Sequence, residues 1–217
     1  MSEQGSSTRR RAIWSRRLFA GICALFVMHT AALSLEFTTH PNASRKLTAF
    51  LAIGKVEMLD VERLDALLLK QPKRANTAVY LSSPGGDLYE GMRLGLFFKE
   101  RRIKTIVEGG GLCASACAIA FLGGSDGEGK PWRSSSTDSR LGFHAFRGVS
   151  DGGIHSDDVQ RIVADILRYG KRVNAPIELL IASFDTPSAD VFWVSHRDIC
   201  SLGIKLWSNE EKRFVCN

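Results

Sequence analysis

The chain has 217 residues, of which 44% are hydrophobic, 24% charged and 9% aromatic, with a formal net charge of +6. This composition excludes collagen-like, low-complexity and wholly disordered chains, and the length suits one domain with a substantial core plus an appendage. The charge does not mark a nucleic-acid-binding surface. Residues 1–17 hold five arginines (Arg9, Arg10, Arg11, Arg16, Arg17) against one acid, Glu3, so the other 200 residues carry 24 bases against 22 acids. The basicity is an address, and no nucleic-acid partner is expected.

Behind this basic n-region, residues 18–35 (LFAGICALFVMHTAALSL) form an apolar run broken only by small residues and His29. Eighteen residues at about 1.5 Å each reach roughly 27 Å, close to the thickness of a hydrocarbon core. With Ala31, Ala32 and Ser34 at its end, the same pattern describes a cleaved signal peptide. The length of the run favours an uncleaved transmembrane anchor. Either one places residues 36–217 in the periplasm, or on the periplasmic side of a bacterial inner membrane. Ser15-Arg16-Arg17-Leu18-Phe19-Ala20 is also similar to a twin-arginine export motif, so the export route stays open. Cys23 is not a lipoprotein site, because Ile22 stands where a small residue is required. Residues 36–46 (EFTTHPNASRK) read as a short polar linker, which leaves residues 47–217 as the folded domain.

From residue 47 onward strand and helix patterns alternate. Residues 47–56 have strand content, and residues 57–71 predict a helix with Val61, Leu64, Leu67 and Leu68 on one face, stopped by Pro72. Residues 77–81 are a short apolar run, too brief for a helix and therefore a buried strand. Asp87 starts a second helix with Leu88, Gly91, Met92, Gly95 and Leu96 in register, and its two glycines imply close packing against a sheet. A strand at 103–107 and a helix at 114–121 follow. After the Gly/Ser-rich residues 123–139 comes a strand at 141–146. Ser156 caps a long helix, 156–174, with Asp157 and Asp158 in its first turn and a stripe of Val159, Ile162, Val163, Ile166, Leu167 and Val173. A shorter helix follows Pro176, another spans 195–202, and a strand at 204–207 ends the pattern. Such alternation predicts an α/β domain built on a parallel sheet with flanking helices.

Two strand-to-helix turns carry the chemistry. In Ser82-Ser83-Pro84-Gly85-Gly86-Asp87, two glycines let the backbone turn tightly and leave its N–H groups uncovered, where they favour a developing negative charge. In Gly109-Gly110-Gly111-Leu112-Cys113-Ala114-Ser115-Ala116-Cys117, a glycine run feeds a helix of small residues with a serine at its start. A serine is a weak nucleophile until a base takes its proton, and the neighbouring N–H of Ala116 could serve an oxyanion. His144, in Leu141-Gly142-Phe143-His144-Ala145-Phe146, stands at the end of an apolar strand, where active-site residues of α/β sheets sit. His155 and His196 lie in polar settings, and His29 and His40 in the signal and the linker.

These motifs, in this order, resemble the Clp-protease/crotonase superfamily and, within it, the ClpP-like serine peptidases of periplasmic type. The matching residues are Ser83-Pro84-Gly85-Gly86, Cys113-Ala114-Ser115-Ala116-Cys117 and Gly142-Phe143-His144, and the likeness extends over residues 47–207. The resemblance implies Ser115 as nucleophile, His144 as general base and the backbone of Gly86 and Ala116 as oxyanion hole, with no cofactor and no metal. It places the third triad member just before the last short helix. Asp190 is the match, about one residue off the family's spacing, with Asp185 as fallback; its task would be to hold the His144 tautomer. It implies peptides or unfolded chains as substrates, and assembly into a homo-oligomer through residues 156–174. Two other readings stay open: a non-catalytic scaffold or binding protein of the same fold, and an acyl-ester hydrolase using the same Ser–His pair.

Outside the signal there are four cysteines, Cys113, Cys117, Cys200 and Cys216, an even count that suits disulfides in an exported domain, with three pairings open. Cys113 and Cys117 flank Ser115 one helical turn apart. Cys200 and Cys216 would staple the C-terminal tail to the last helix.

Overall fold

A computed structural model describes residues 34–72, 76–146 and 156–216 of the chain. The basic segment and nearly all of the apolar run lie outside these residues, as do His29 and His155. Among the described residues no helix is long and apolar enough to cross a membrane.

The chain builds β1 (Glu36–Thr39), β2 (Leu47–Ile53), α1 (Asp60–Leu69), β3 (Asn76–Ser82), α2 (Leu88–Glu100), β4 (Ile103–Val107), β5 (Leu112–Ala114) and α3 (Ala116–Phe121). Then come β6 (Arg133–Ser136), β7 (Arg140–Phe143), α4 (Ser156–Val173), α5 (Ile177–Asp185), β8 (Phe192–Trp193), β9 (Lys205–Ser208) and β10 (Arg213–Cys216). Seven strands form one sheet in the order β1-β2-β3-β4-β6-β9-β10, and three form a second, β5-β7-β8. The five central strands of the large sheet run parallel, and β1 and β10 close its edges antiparallel. One core gathers Phe50, Val79 and Leu206 from the sheet with Leu64, Leu94, Phe98, Phe121, Ile166 and Leu179 from the five helices. The opposite face carries a small cluster of Ala49, Ala78 and Tyr80.

Most predicted elements stand within a few residues of their expected bounds, and five readings are corrected. The expected linker, 36–46, contributes β1 to the sheet, and its His40 is buried. The His40 ring stacks on Tyr80 at 3.6 Å, and its Nε2 lies 3.2 Å from the Glu108 carboxylate. The Gly/Ser-rich stretch contains β6, an interior strand with all four residues buried. β8 and β10 are additional short strands. The helix expected at 195–202 is a run of turns. Finally, the glycines of α2 face helices instead of a sheet: a Cβ on Gly91 would lie 2.5 Å from the Ala116 carbonyl oxygen, and one on Gly95 would collide with the Tyr169 hydroxyl.

Arg133 of β6 explains how a guanidinium tolerates this interior. It donates to the carbonyls of Val173 (2.6 Å) and Asn174 (3.1 Å), filling the open acceptors at the end of α4, while burial pulls its pKa down to about 10.

Cys200 is bonded to Cys216 across 16 residues and ties β10 to the turn before β9. A closed loop of this size restricts the unfolded chain by about 3 kcal/mol. The double variant Cys200→Ser/Cys216→Ser should therefore lose about 3 kcal/mol in denaturant unfolding.

Candidate active site

Ser115 occupies the single residue between β5 and α3, and its backbone adopts φ 57°, ψ −127°. A non-glycine residue enters this region only when its surroundings enforce it. Four restraints do so. The Ser115 N–H donates to the Gly142 carbonyl of β7 (3.0 Å), and the Ala114 N–H donates to Ser83 (3.1 Å). The Ser115 carbonyl accepts the first bond of α3 from Ile119 (3.0 Å), and the Cys113–Cys117 disulfide spans the turn. Both cysteines are buried while Ser115 is half-buried, so the serine alone of this segment meets solvent.

The turn after β3 lies directly against it. A Cβ on Gly85 would sit 2.5 Å from Ser115 Cβ and 3.0 Å from Ala116 N, so only glycine permits this approach. Both Gly85 (φ 103°) and Gly86 (φ 150°) hold positive φ, and the Gly85 N–H donates to the Ser83 hydroxyl at 3.1 Å. The Val56 N–H donates to Gly85 O (2.8 Å) and the Asp87 N–H to Val56 O (2.9 Å), which fixes the loop to the end of β2. Asp87 in turn caps α2 by accepting from the Glu90 N–H at 2.7 Å. Among the described residues neither the Gly86 nor the Ala116 N–H finds an acceptor. Two uncommitted donors thus stand beside the Ser115 turn, which is what an oxyanion requires.

His144 follows β7. The parallel pairing of β5 and β7 sets Cys113 opposite Leu141 and Ala114 opposite Gly142, so Ser115 and His144 leave the same end of adjacent strands. Strands in a sheet lie about 4.8 Å apart, which brings the backbones of the two residues to one edge. His144 is half-buried, and its Nδ1 lies 2.7 Å from the Ala145 carbonyl oxygen. Among the described residues no hydrogen bond joins Ser115 Oγ to His144.

The acids stand apart. Asp190 ends a turn in which its N–H donates to Pro187 (2.9 Å), and Asp185 ends α5. Both are exposed, and neither bonds to His144 among the described residues. His196 is exposed in the C-terminal turns and His40 is committed to Glu108 and Tyr80, which leaves His144 as the described histidine at the end of the strand paired with that of Ser115. Sequence reading could not find the supporting groups (the Ser83 hydroxyl, the Gly142 and Ala145 carbonyls, the Thr186 carbonyl that receives the Ala145 N–H at 2.8 Å), because most act through backbone atoms that any residue carries.

Neither a protein-family model nor a curated protein matches this sequence. Among solved structures, ClpP1 from Listeria monocytogenes is similar at 18% identity and a TM-score of 0.52, over 75% of this chain and 92% of that one. A mutant of the same protein aligns at 20% identity and a TM-score of 0.49, over 76% and 93%. Over about three quarters of the chain the fold is ClpP-like.

Proposed function

Starting from a ClpP-like fold, we propose that the protein is a serine peptidase in which Ser115 attacks the carbonyl carbon of a peptide bond. His144 takes the Ser115 proton at Nε2, and the N–H groups of Gly86 and Ala116 bind the oxygen as it gains charge. The same imidazolium then protonates the leaving amine, and water releases the acyl group by the reverse proton path. The observation that carries this reading is the enforced φ of Ser115, a strained residue held beside two N–H donors that are uncommitted among the described residues. Such strain persists where it is over-determined, and here it presents one hydroxyl to solvent.

The proposal extends to place. Two disulfides fit an oxidising compartment, in keeping with the basic and apolar N-terminal sequence as an export signal or membrane anchor. A compartment without ATP would confine the substrate to short, flexible or already unfolded chains. Self-assembly through α4, whose Leu167 is exposed, belongs to the same reading.

The test is labelling of the full, oxidised chain by a fluorophosphonate probe. Wild type should label, whereas Ser115→Ala and His144→Ala should not. A folded, oxidised wild type that does not label would refute the peptidase reading in favour of a non-catalytic scaffold. Faster turnover of acyl esters than of peptides would move the substrate class without moving the residues.

A further inference from the structure

We infer that two buried carboxylates, Asp60 and Glu90, are positioning residues that fix the place of the Gly86 N–H beside the Ser115 turn. The inference deepens the proposed reaction and rests on the Gly86 N–H serving as an oxyanion donor. Both acids act at one remove, through the segment that joins β2 to α1. Val56 of that segment bridges to Gly86. Its N–H donates to Gly85 O (2.8 Å) and its carbonyl accepts from the Asp87 N–H (2.9 Å). A Cβ on Gly86 would collide with the Val56 carbonyl, so the two backbones touch and a shift of one displaces the other.

The turn from Val56 into α1 depends on these acids. Leu59, at the N-cap of α1, sits at φ 75° and supplies no side-chain acceptor to the helix. The acceptors come from Asp60 and Glu90 instead. The Glu57 N–H donates to Asp60 Oδ2 (2.8 Å), and the Val61 N–H donates across to Glu90 Oε1 of α2 (2.9 Å). The Glu90 N–H donates to Asp87 Oδ1 (2.7 Å), which closes a ring from Val56 through both helices back to the glycine turn. Asp60 is 0% and Glu90 2% exposed. Apolar side chains would fill such a place at less cost in desolvation. Burial indeed pushes the Asp60 carboxyl above its usual range, against the pull of the Glu57 N–H and of Arg63. Carboxylate oxygens are needed here because each must hold a main-chain donor at a fixed point. Arg63 on Asp60, and Arg93 on Glu90 at 2.5 Å, hold the other oxygens.

Two readouts on the full, oxidised chain test this: the Gly86 amide resonance in proton–nitrogen correlation spectra, and the kinetics of fluorophosphonate labelling. Loss of a whole oxyanion donor costs about 10²–10³-fold, and a misplaced donor forfeits part of that. Glu90→Ala and Asp60→Ala should therefore move the Gly86 resonance and lower the maximal labelling rate about tenfold or more. The half-saturating probe concentration should stay at its wild-type value. Arg93 keeps Glu62 as a partner in Glu90→Ala, so that variant strands no charge. Glu90→Gln and Asp60→Asn retain an acceptor oxygen and should match wild type in both readouts. An unmoved Gly86 resonance in both alanine variants, or an amide variant as slow as its alanine counterpart, would overturn the inference. So would lost stability with an unchanged labelling rate, or failure of both alanine variants to fold. If wild type does not label, the peptidase reading fails, while the Gly86 resonance still decides this one.

Discussion

Ser115→Ala and His144→Ala should each lower peptide hydrolysis by about 10⁴-fold or more, and the double variant should be no slower than the worse single one. In the proposed mechanism the two side chains act in one proton transfer, so removing either removes the whole nucleophilic step and the second loss finds nothing left to take. A residue of about 10³-fold over uncatalysed hydrolysis should survive in all three, because the Gly86 and Ala116 N–H groups remain in place. Steady-state rates against a flexible fluorogenic peptide measure this. Additive losses in the double variant would show that the residues do not work as a pair.

The second large effect concerns stability and comes from two glycines. A Cβ on Gly123 would collide with the carbonyl oxygen and Cα of Gly95, backbone atoms that cannot rotate away. Gly123→Ala should therefore separate α2 from the end of α3 and destabilise the domain by about 3 kcal/mol or more, read from chemical unfolding. Gly91→Ala meets the Ala116 carbonyl oxygen at 2.5 Å instead. Its cost should appear as function: pushing Ala116 misaims one oxyanion donor, and such a loss lowers turnover by about 10²-fold. The contrast between the two alanines separates the packing role of α2 from its aim at the nucleophile. If Gly91→Ala keeps full turnover, the Ala116 N–H is not part of the oxyanion hole.

What the residues disclosed follows from whether side chains carry the signal. β4 coincides with its expected span because alternating burial of Ile103, Thr105 and Val107 leaves a period of two, and α2 was marked by the Asp87 cap. β6 was invisible. Arg133-Ser134-Ser135-Ser136 looks like a solvated loop, and it is buried only because Arg133 caps α4 and the Ser135 hydroxyl pairs with that of Ser139 at 2.7 Å. The Arg133 acceptor lies 40 residues away in sequence, and a serine–serine pair leaves no mark in the hydropathy pattern. β1 was hidden for a similar reason: Glu36-Phe37-Thr38-Thr39 is an edge strand whose outward side is mostly polar. The turns at 195–202 have helical composition, but Gly203 (φ 66°) and the Cys200–Cys216 bond hold them in single loops. At the site, Ser115 and His144 were legible as residue types at the ends of strands. The carbonyl beside His144 was not, because a main-chain oxygen leaves no trace in the order of side chains.

The position of β9 sets the order in which this molecule can be finished. β6 pairs on one side with β4, made about thirty residues earlier, and on the other with β9, which the ribosome supplies some seventy residues later. Until residues 205–208 arrive, the serine strand has an open edge at the middle of what becomes the sheet, with its hydrogen-bonding groups free to pair with any passing chain. A nascent chain halted before that point holds the Ser115 turn and His144, yet lacks the strand that completes the parallel part of the large sheet. Completion of the sheet is therefore a late, whole-chain event, and premature termination leaves an unpaired interior strand instead of a smaller finished domain.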